Sequence, residues 1–131
     1  MVKKIIIFCL LVGTLILLLP AHTESYVRPP EPPKPTVKEY AEQMVLKTFG
    51  EGQWGHFDAI IKKESRWIST AQNPRSSAYG LGQFLNSTWA TVGCKKTTDP
   101  YKQIDCTVKY VKKNYKTPAL ALKYHLVHNY Y

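Results

Sequence analysis

The chain has 131 residues, with 18 lysines and arginines against 9 aspartates and glutamates, a net charge of +9 at pH 7. That length supports one small domain plus flanking segments. The charge favours an anionic partner such as nucleic acid, anionic lipid or an acidic cell wall. The lysines are scattered or in short pairs, with no dense tract, so charge alone does not choose among these partners.

Met1-Val2-Lys3-Lys4 is a positive start, followed by an uncharged apolar run from Ile5 to Leu19. Such a run is shorter than the roughly 20 residues a full span requires and suits the h-region of a signal peptide. Pro20-Ala21-His22-Thr23 places small residues near a cleavage point, so residues 1–23 read as a signal peptide, with a retained anchor as the alternative. Either way the remainder is expected to be exported (secreted, periplasmic or at the cell surface), with membrane association through residues 1–20 if the segment is kept. Residues 24–35 are proline-rich, with Arg28-Pro29-Pro30-Glu31-Pro32-Pro33-Lys34-Pro35 at their centre. This composition predicts an extended polyproline II spacer. The folded domain is expected over residues 36–131.

Thr36-Val37-Lys38-Glu39 fits a capping box that opens a helix with Val37, Tyr40, Ala41, Met44 and Thr48 on one face. Gly50 and Gly52 stop it. Trp54 precedes the next helix, either packing in the core or shielding a cleft. In that helix Phe57, Ile60, Ile61 and Ile68 share one face, with Trp67 at its edge and Glu64 in the middle. A carboxylate there is expected to be partly desolvated, which raises its pKa and keeps a proton available near neutrality. The plain alternative is a core-edge Glu satisfied by a Lys, an Arg or a backbone donor.

After Asn73-Pro74 and a small polar loop comes Tyr79-Gly80-Leu81-Gly82-Gln83-Phe84. Two glycines permit positive φ and close backbone approach to a ligand. The aromatic and the amide they carry suit sugar rings. Turn formation and core packing would explain the same residues without a ligand. Asn86 or Ser87 is expected to cap a short helix through Val92, ended by Gly93. Asp99-Pro100 starts the next helix, with a stripe of Tyr101, Ile104, Val108, Val111 and Tyr115. Thr117-Pro118 starts the last, with Ala119, Leu122 and Leu126 inward and His125 and His128 read as exposed. No segment alternates with period two for long enough to be a strand. The fold class is therefore mainly α, a single small domain of about five helices.

Cys94 and Cys106 lie in the part expected to be exported, where they are expected to form a disulfide; two unpaired small residues are the alternative. Their spacing matches no zinc pattern, and neither a metal site nor a cofactor is expected. The acids offer no persuasive partner for Glu64. Asp99 is accounted for as a helix cap, Asp105 lies beside the apolar stripe, and Asp58 is roughly 1.7 helical turns away. Glu51, on a glycine-flanked loop, is the best remaining candidate.

Glu64-Ser65-x-Trp67, Ala71-Gln72-Asn73-Pro74 and Ala78-Tyr79-Gly80-Leu81-Gly82-Gln83-Phe84 resemble the lytic transglycosylase domain related to soluble lytic transglycosylase and goose-type lysozyme. The similarity continues through Ser87-Thr88-Trp89, Asp99-Pro100-Tyr101-x-Gln103-Ile104 and Tyr110. It covers roughly Val37 to Tyr131. It implies a lysozyme-like fold with a groove across one side, and peptidoglycan glycan strands as partner. It also implies a one-carboxylate reaction. Glu64 would protonate the β-1,4 bond after N-acetylmuramic acid, then take the proton of the C6 hydroxyl as a 1,6-anhydro product closes, the sugar's N-acetyl group assisting.

On the same resemblance Ser65, Tyr79, Gly80 and Gln83 would bind substrate. Tyr124 would take the place of a Tyr that many relatives carry near the acid. Asn129-Tyr130-Tyr131 departs from the Gly-Trp-Tyr ending common among relatives. A lysozyme-type hydrolase and a catalytically silent wall-binding module are the competing readings. Nucleic-acid binding lacks a recognised motif, and a monomer is expected. The reading requires Glu64 to face a groove and not to be locked in a stable ion pair.

Overall fold

The computed structural model describes residues 27–131. The expected signal peptide or anchor, residues 1–23, and the start of the linker lie outside the described residues. No helix among the described residues is long and apolar enough to cross a membrane. The compact unit begins at Pro33. Its first residues are held against the domain: the Tyr101 hydroxyl donates to the Pro35 carbonyl at 2.7 Å, and the Lys34 ammonium lies 3.6 Å from the centre of the Tyr101 ring.

Five helices follow: α1 Val37–Phe49, α2 Trp54–Ser65, α3 Asn86–Thr91, α4 Pro100–Asn114 and α5 Pro118–His128. The starts of α1, α4 and α5 follow from side chains that satisfy amide donors left free by the first turn. Thr36 and Glu39 form the expected reciprocal box on α1. Asp99 accepts from the amides of Tyr101 and Lys102 on α4, and Thr117 accepts from Leu120 on α5. On α3 the capping position belongs to Leu85, whose side chain cannot cap, and not to Asn86 or Ser87. That short helix is held by Trp89, which is buried.

Helix α1 packs on α4, and α2 packs on α5. Between them lies the main core of Ala41, Val45, Phe57, Ile60, Ile61, Leu81, Ile104, Val108, Val111 and Ala121. Trp54 packs against this core, its ring 6.4 Å from Phe57 and 6.0 Å from Trp67. A smaller cluster of Phe84, Trp89, Val92 and Cys106 ties α3 to α4. Cys94 and Cys106 are joined by a disulfide across 12 residues. By chain-entropy reasoning a bridge of that size stabilises by about 2–3 kcal/mol.

Two helical expectations fail in the same way. Helix α2 ends at Ser65, and Arg66 and Trp67 turn into positive φ, 54° and 63°. Ile68 therefore leaves the apolar face and is 52% exposed. On α5 the buried residues are Pro118, Ala121 and His125; Leu122 packs partly buried against the main core as expected, while Leu126 is 61% exposed. Nearly every position of α5 is apolar, so the sequence marks no single face for burial.

The segment from Arg66 to Leu85 has no strand, only isolated antiparallel bridges of Tyr79 with Gln72 and Phe84. Three glutamine side chains supply what a sheet would. Gln72 Nε2 donates to the carbonyls of Asn73, Ser76 and Ala78 at 3.0–3.2 Å. Gln83 Nε2 donates to Ala71 at 3.0 Å and Gly80 at 2.9 Å. Gln103, on α4 and 1% exposed, accepts from the Leu81 amide and donates to the carbonyls of Ser69 and Thr97, each at 2.9 Å. Backbone groups in a buried loop need such partners, since each one left unpaired costs about 1–3 kcal/mol.

Candidate active site

Glu64 is on the last turn of α2, one helical turn beyond Ile60 and Ile61 of the core. That position holds its carboxyl at the edge of the apolar interior, 16% exposed. It lines a cavity of about 320 Å³ whose other walls include Gln83, Phe84, Tyr110, Tyr130 and Tyr131. The cavity lies where the two apolar clusters meet, and Tyr131 packs against both of them. Tyr110 is central to the aromatic wall, its ring centre 4.9 Å from Phe84 and 5.6 Å from Tyr131. Burial and the neighbouring Glu64 charge push the Tyr131 hydroxyl well above the usual tyrosine range, so it stays protonated.

The direct partner of Glu64 is His125. Its Nε2 is 2.8 Å from Glu64 Oε1, with the imidazole only 10% exposed. No hydrogen bond reaches Glu64 Oε2 from the described residues. Burial pushes the Glu64 carboxyl up, the His125 charge and hydrogen bond pull it down, and the net direction is upward. His125 was expected at the surface. Its position is i+7 from Pro118 and i+4 from Ala121, the buried stripe of α5. The sequence alone does not set this stripe apart, because α5 is apolar on nearly every side.

Of the other expected site residues, the structure brings only Gln83 to this cavity. Its amide nitrogen is fixed by two carbonyls, and its backbone takes a positive φ of 49°. Ser65 is buried and donates to the Ile61 carbonyl within its own helix at 3.2 Å. Tyr79 lines a separate groove with Gln72 and Thr97, its ring centre 5.2 Å from the Lys96 ammonium. Gly80 leaves space for protein, not ligand: a Cβ there would fall 2.8 Å from the Gln103 carboxamide. Tyr124 lies on another side of α5, its ring centre 4.1 Å from His128 and its hydroxyl 3.3 Å from that of Tyr130. Phe84, Tyr110, Tyr130 and Tyr131 were not singled out as groove walls, because aromatics in a small domain are usually core.

None of the other candidate acids reaches the cavity. Asp58 pairs with Lys38 at 3.1 Å and Lys62 at 2.7 Å and accepts from Trp67 Nε1 at 3.0 Å. Asp105 accepts from the Tyr40 hydroxyl at 2.6 Å, which pushes Tyr40 up to about 12. Asp99 caps α4, and Glu51 is exposed. Among the described residues no three His, Cys, Asp or Glu side chains gather to hold a metal ion. The chemistry available here is proton transfer from one carboxyl beside an aromatic and amide wall suited to a sugar chain.

The family model of the transglycosylase SLT domain matches residues 49–125, more than half of the chain. The chain belongs to the SLT family. The match spans α2 through most of α5, and so includes both Glu64 and His125. No curated protein and no solved structure gives a match. Membership makes this SLT domain a lytic transglycosylase-type member of the lysozyme-like superfamily, with peptidoglycan as the substrate it implies.

Proposed function

We propose that the protein is a peptidoglycan lytic transglycosylase in which Glu64 acts first as general acid and then as general base. The substrate bond is the β-1,4 linkage between N-acetylmuramic acid and N-acetylglucosamine. The Glu64 proton goes to the glycosidic oxygen as the bond to the anomeric carbon breaks, with the N-acetyl group assisting. The C6 hydroxyl oxygen then bonds to that carbon, and its proton returns to Glu64. The product is a 1,6-anhydro sugar, and no water enters.

One observation carries this reading. Among the described residues Glu64 is the single acid on a cavity otherwise walled by four aromatics, Gln83, Gly82, Leu85 and Thr88, and its pKa is displaced upward by burial. A reaction needing two carboxylates finds no second one there. The close contact with His125 is an ion pair only when the imidazole is protonated, and imidazole exists as a neutral donor as well as a cation. Burial outweighs the pull of His125, which favours the protonated acid that the first step uses. We further propose that residues 1–23 direct export and that the proline-rich segment spaces the domain from a membrane if the leader is retained.

The test is digestion of purified peptidoglycan by the full chain, with product masses read by mass spectrometry. Anhydro products, one water lighter than hydrolysis products, are expected. Products carrying the extra water would make the enzyme a lysozyme-type hydrolase. Glu64→Gln should reduce cleavage about 10²- to 10⁴-fold, the usual contribution of a positioned acid–base group. Cleavage at the wild-type rate by that variant would remove Glu64 from the mechanism.

A further inference from the structure

We infer that His125 is the positioning residue of Glu64: a fixed Nε2–H donor to Glu64 Oε1 that leaves Oε2 as the oxygen exchanging the proton with substrate. The inference rests on the acid–base role proposed for Glu64. Its basis is how the two carboxyl oxygens are shared out. Oε1 faces His125 Nε2 at 2.8 Å, whereas Oε2 meets no hydrogen-bonding partner among the described residues.

The direction of that hydrogen bond follows from the chemistry. If Nε2 offered a lone pair, the Glu64 proton would sit on Oε1 and point into the imidazole, away from any sugar. Once the acid had given up its proton, the carboxylate would face that lone pair and be repelled. If Nε2 carries the hydrogen, the bond is favourable in both protonation states of Glu64 and strengthens when the carboxylate forms. The proton on Oε2 then leaves for the glycosidic oxygen, and the proton of the C6 hydroxyl comes back to Oε2. His125 neither gains nor loses a proton in the cycle.

The setting fits a fixed donor. Pro118 and Ala121, on the same stripe of α5, are buried, and α5 packs along α2, so the imidazole is anchored to the helix that carries the acid. From the remaining elements the titratable groups facing Glu64 are the hydroxyls of Tyr110, Tyr130 and Tyr131, and no Lys or Arg lines the cavity. The Tyr131 ring centre is 6.1 Å from that of His125, which places a second rigid surface near the imidazole. Among the described residues His125, which does not itself line the cavity, is the one side chain that favours the ionised carboxyl through a direct hydrogen bond.

The experiment compares the full chain with His125→Gln and His125→Leu on soluble glycan strands, reading kcat and KM across pH. Gln keeps an N–H near the Nε2 position but cannot exchange a proton. Leu keeps bulk without a donor. His125→Leu should lower kcat about 10²-fold with little change in KM, as when one charge-stabilising donor is lost from a water-poor site. Its alkaline limb should move to higher pH, because the ionised carboxyl has lost its support. His125→Gln should stay within about tenfold of wild type, since the hydrogen bond to Oε1 survives without full charge assistance.

A Gln variant as inactive as the Leu variant would overturn the inference by requiring proton transfer through the ring. So would a Leu variant with an unmoved pH profile. Nitrogen-15 NMR of the unmodified protein needs no substitution and covers the case of a variant that fails to fold. It should show Nε2 protonated at the pH of activity, and an Nδ1–H tautomer there would overturn the inference. Failure of Glu64→Gln to reduce cleavage would instead strike the parent reading, so the two failures are distinguishable.

Discussion

Helix α2 carries two carboxylates in opposite circumstances. Asp58 and Glu64 are nearly equally shielded, 15% and 16% exposed. Burial pushes both upward. At Asp58 the bonds from Lys62, Lys38 and Trp67 outweigh it, and the carboxyl falls below its usual range. At Glu64 a single imidazole does not outweigh it, and the carboxyl rises. Side-chain exposure alone does not set the acid: Glu64 lies deeper among protein atoms and meets one donor, whereas Asp58 is less deeply set and meets three. Asp58 is a strut that ties α2 to Lys38 of α1 and to Trp67 just beyond the end of α2, and its proton is not available to a substrate. The free oxygen and open cavity are at Glu64 alone.

The comparison is most easily broken by activity. Asp58→Asn should leave glycan cleavage within a few-fold of wild type, while Glu64→Gln loses about 10²- to 10⁴-fold. Similar losses in both variants, measured on the same peptidoglycan, would erase the functional distinction. The next largest effect concerns what holds both acids in place. Phe57, the residue before Asp58 on α2, is fully buried in the main core, and Phe57→Ala should cost about 3–5 kcal/mol by denaturant unfolding. A loss below about 1 kcal/mol would show that α2 is not anchored through that face.

The smallest effect is the sharpest, because its sign differs between the two sites. The lowered Asp58 contributes stability that is present above its unfolded value of 3.8 and is lost as pH falls through its folded value. The raised Glu64 does the reverse. Its contribution is full below 4.5 and is lost as pH rises through the folded value. Thermal melting across pH should therefore show Asp58→Asn less stable than wild type at neutral pH, with the gap closing in acid. Glu64→Gln should gain on wild type as pH rises from about 4.5. Curves that bend the same way would contradict the opposed shifts.

Much of the scaffold was legible from the sequence because its helix starts are chemical. Thr36 with Glu39, Asp99 before Pro100 and Thr117 before Pro118 announce three helices through side chains that satisfy amides. Glu64 was legible for the same kind of reason, a charge placed among isoleucines at helical spacing. Its partner was not. Helix α5 is apolar on nearly every side, so a wheel drawn through Ala119, Leu122 and Leu126 was as plausible as the one the fold uses. Only contact with α2 selects the stripe containing His125. The end of α2 was hidden because Arg66 and Trp67 adopt a left-handed turn without a glycine to mark it. Gly80 was legible as a close approach, but sequence cannot say whether the approaching group is a ligand or, as here, the Gln103 side chain.

That glycine has a consequence for how the lip of the groove behaves. The segment bearing Gln83 hangs from α4 through one carboxamide that plugs the hollow left by a missing methyl. A long irregular stretch thus borrows the stiffness of α4. Its fluctuations should follow those of α4, so damage at Gln103 would blur the cavity wall beside Glu64 without touching any residue that lines it.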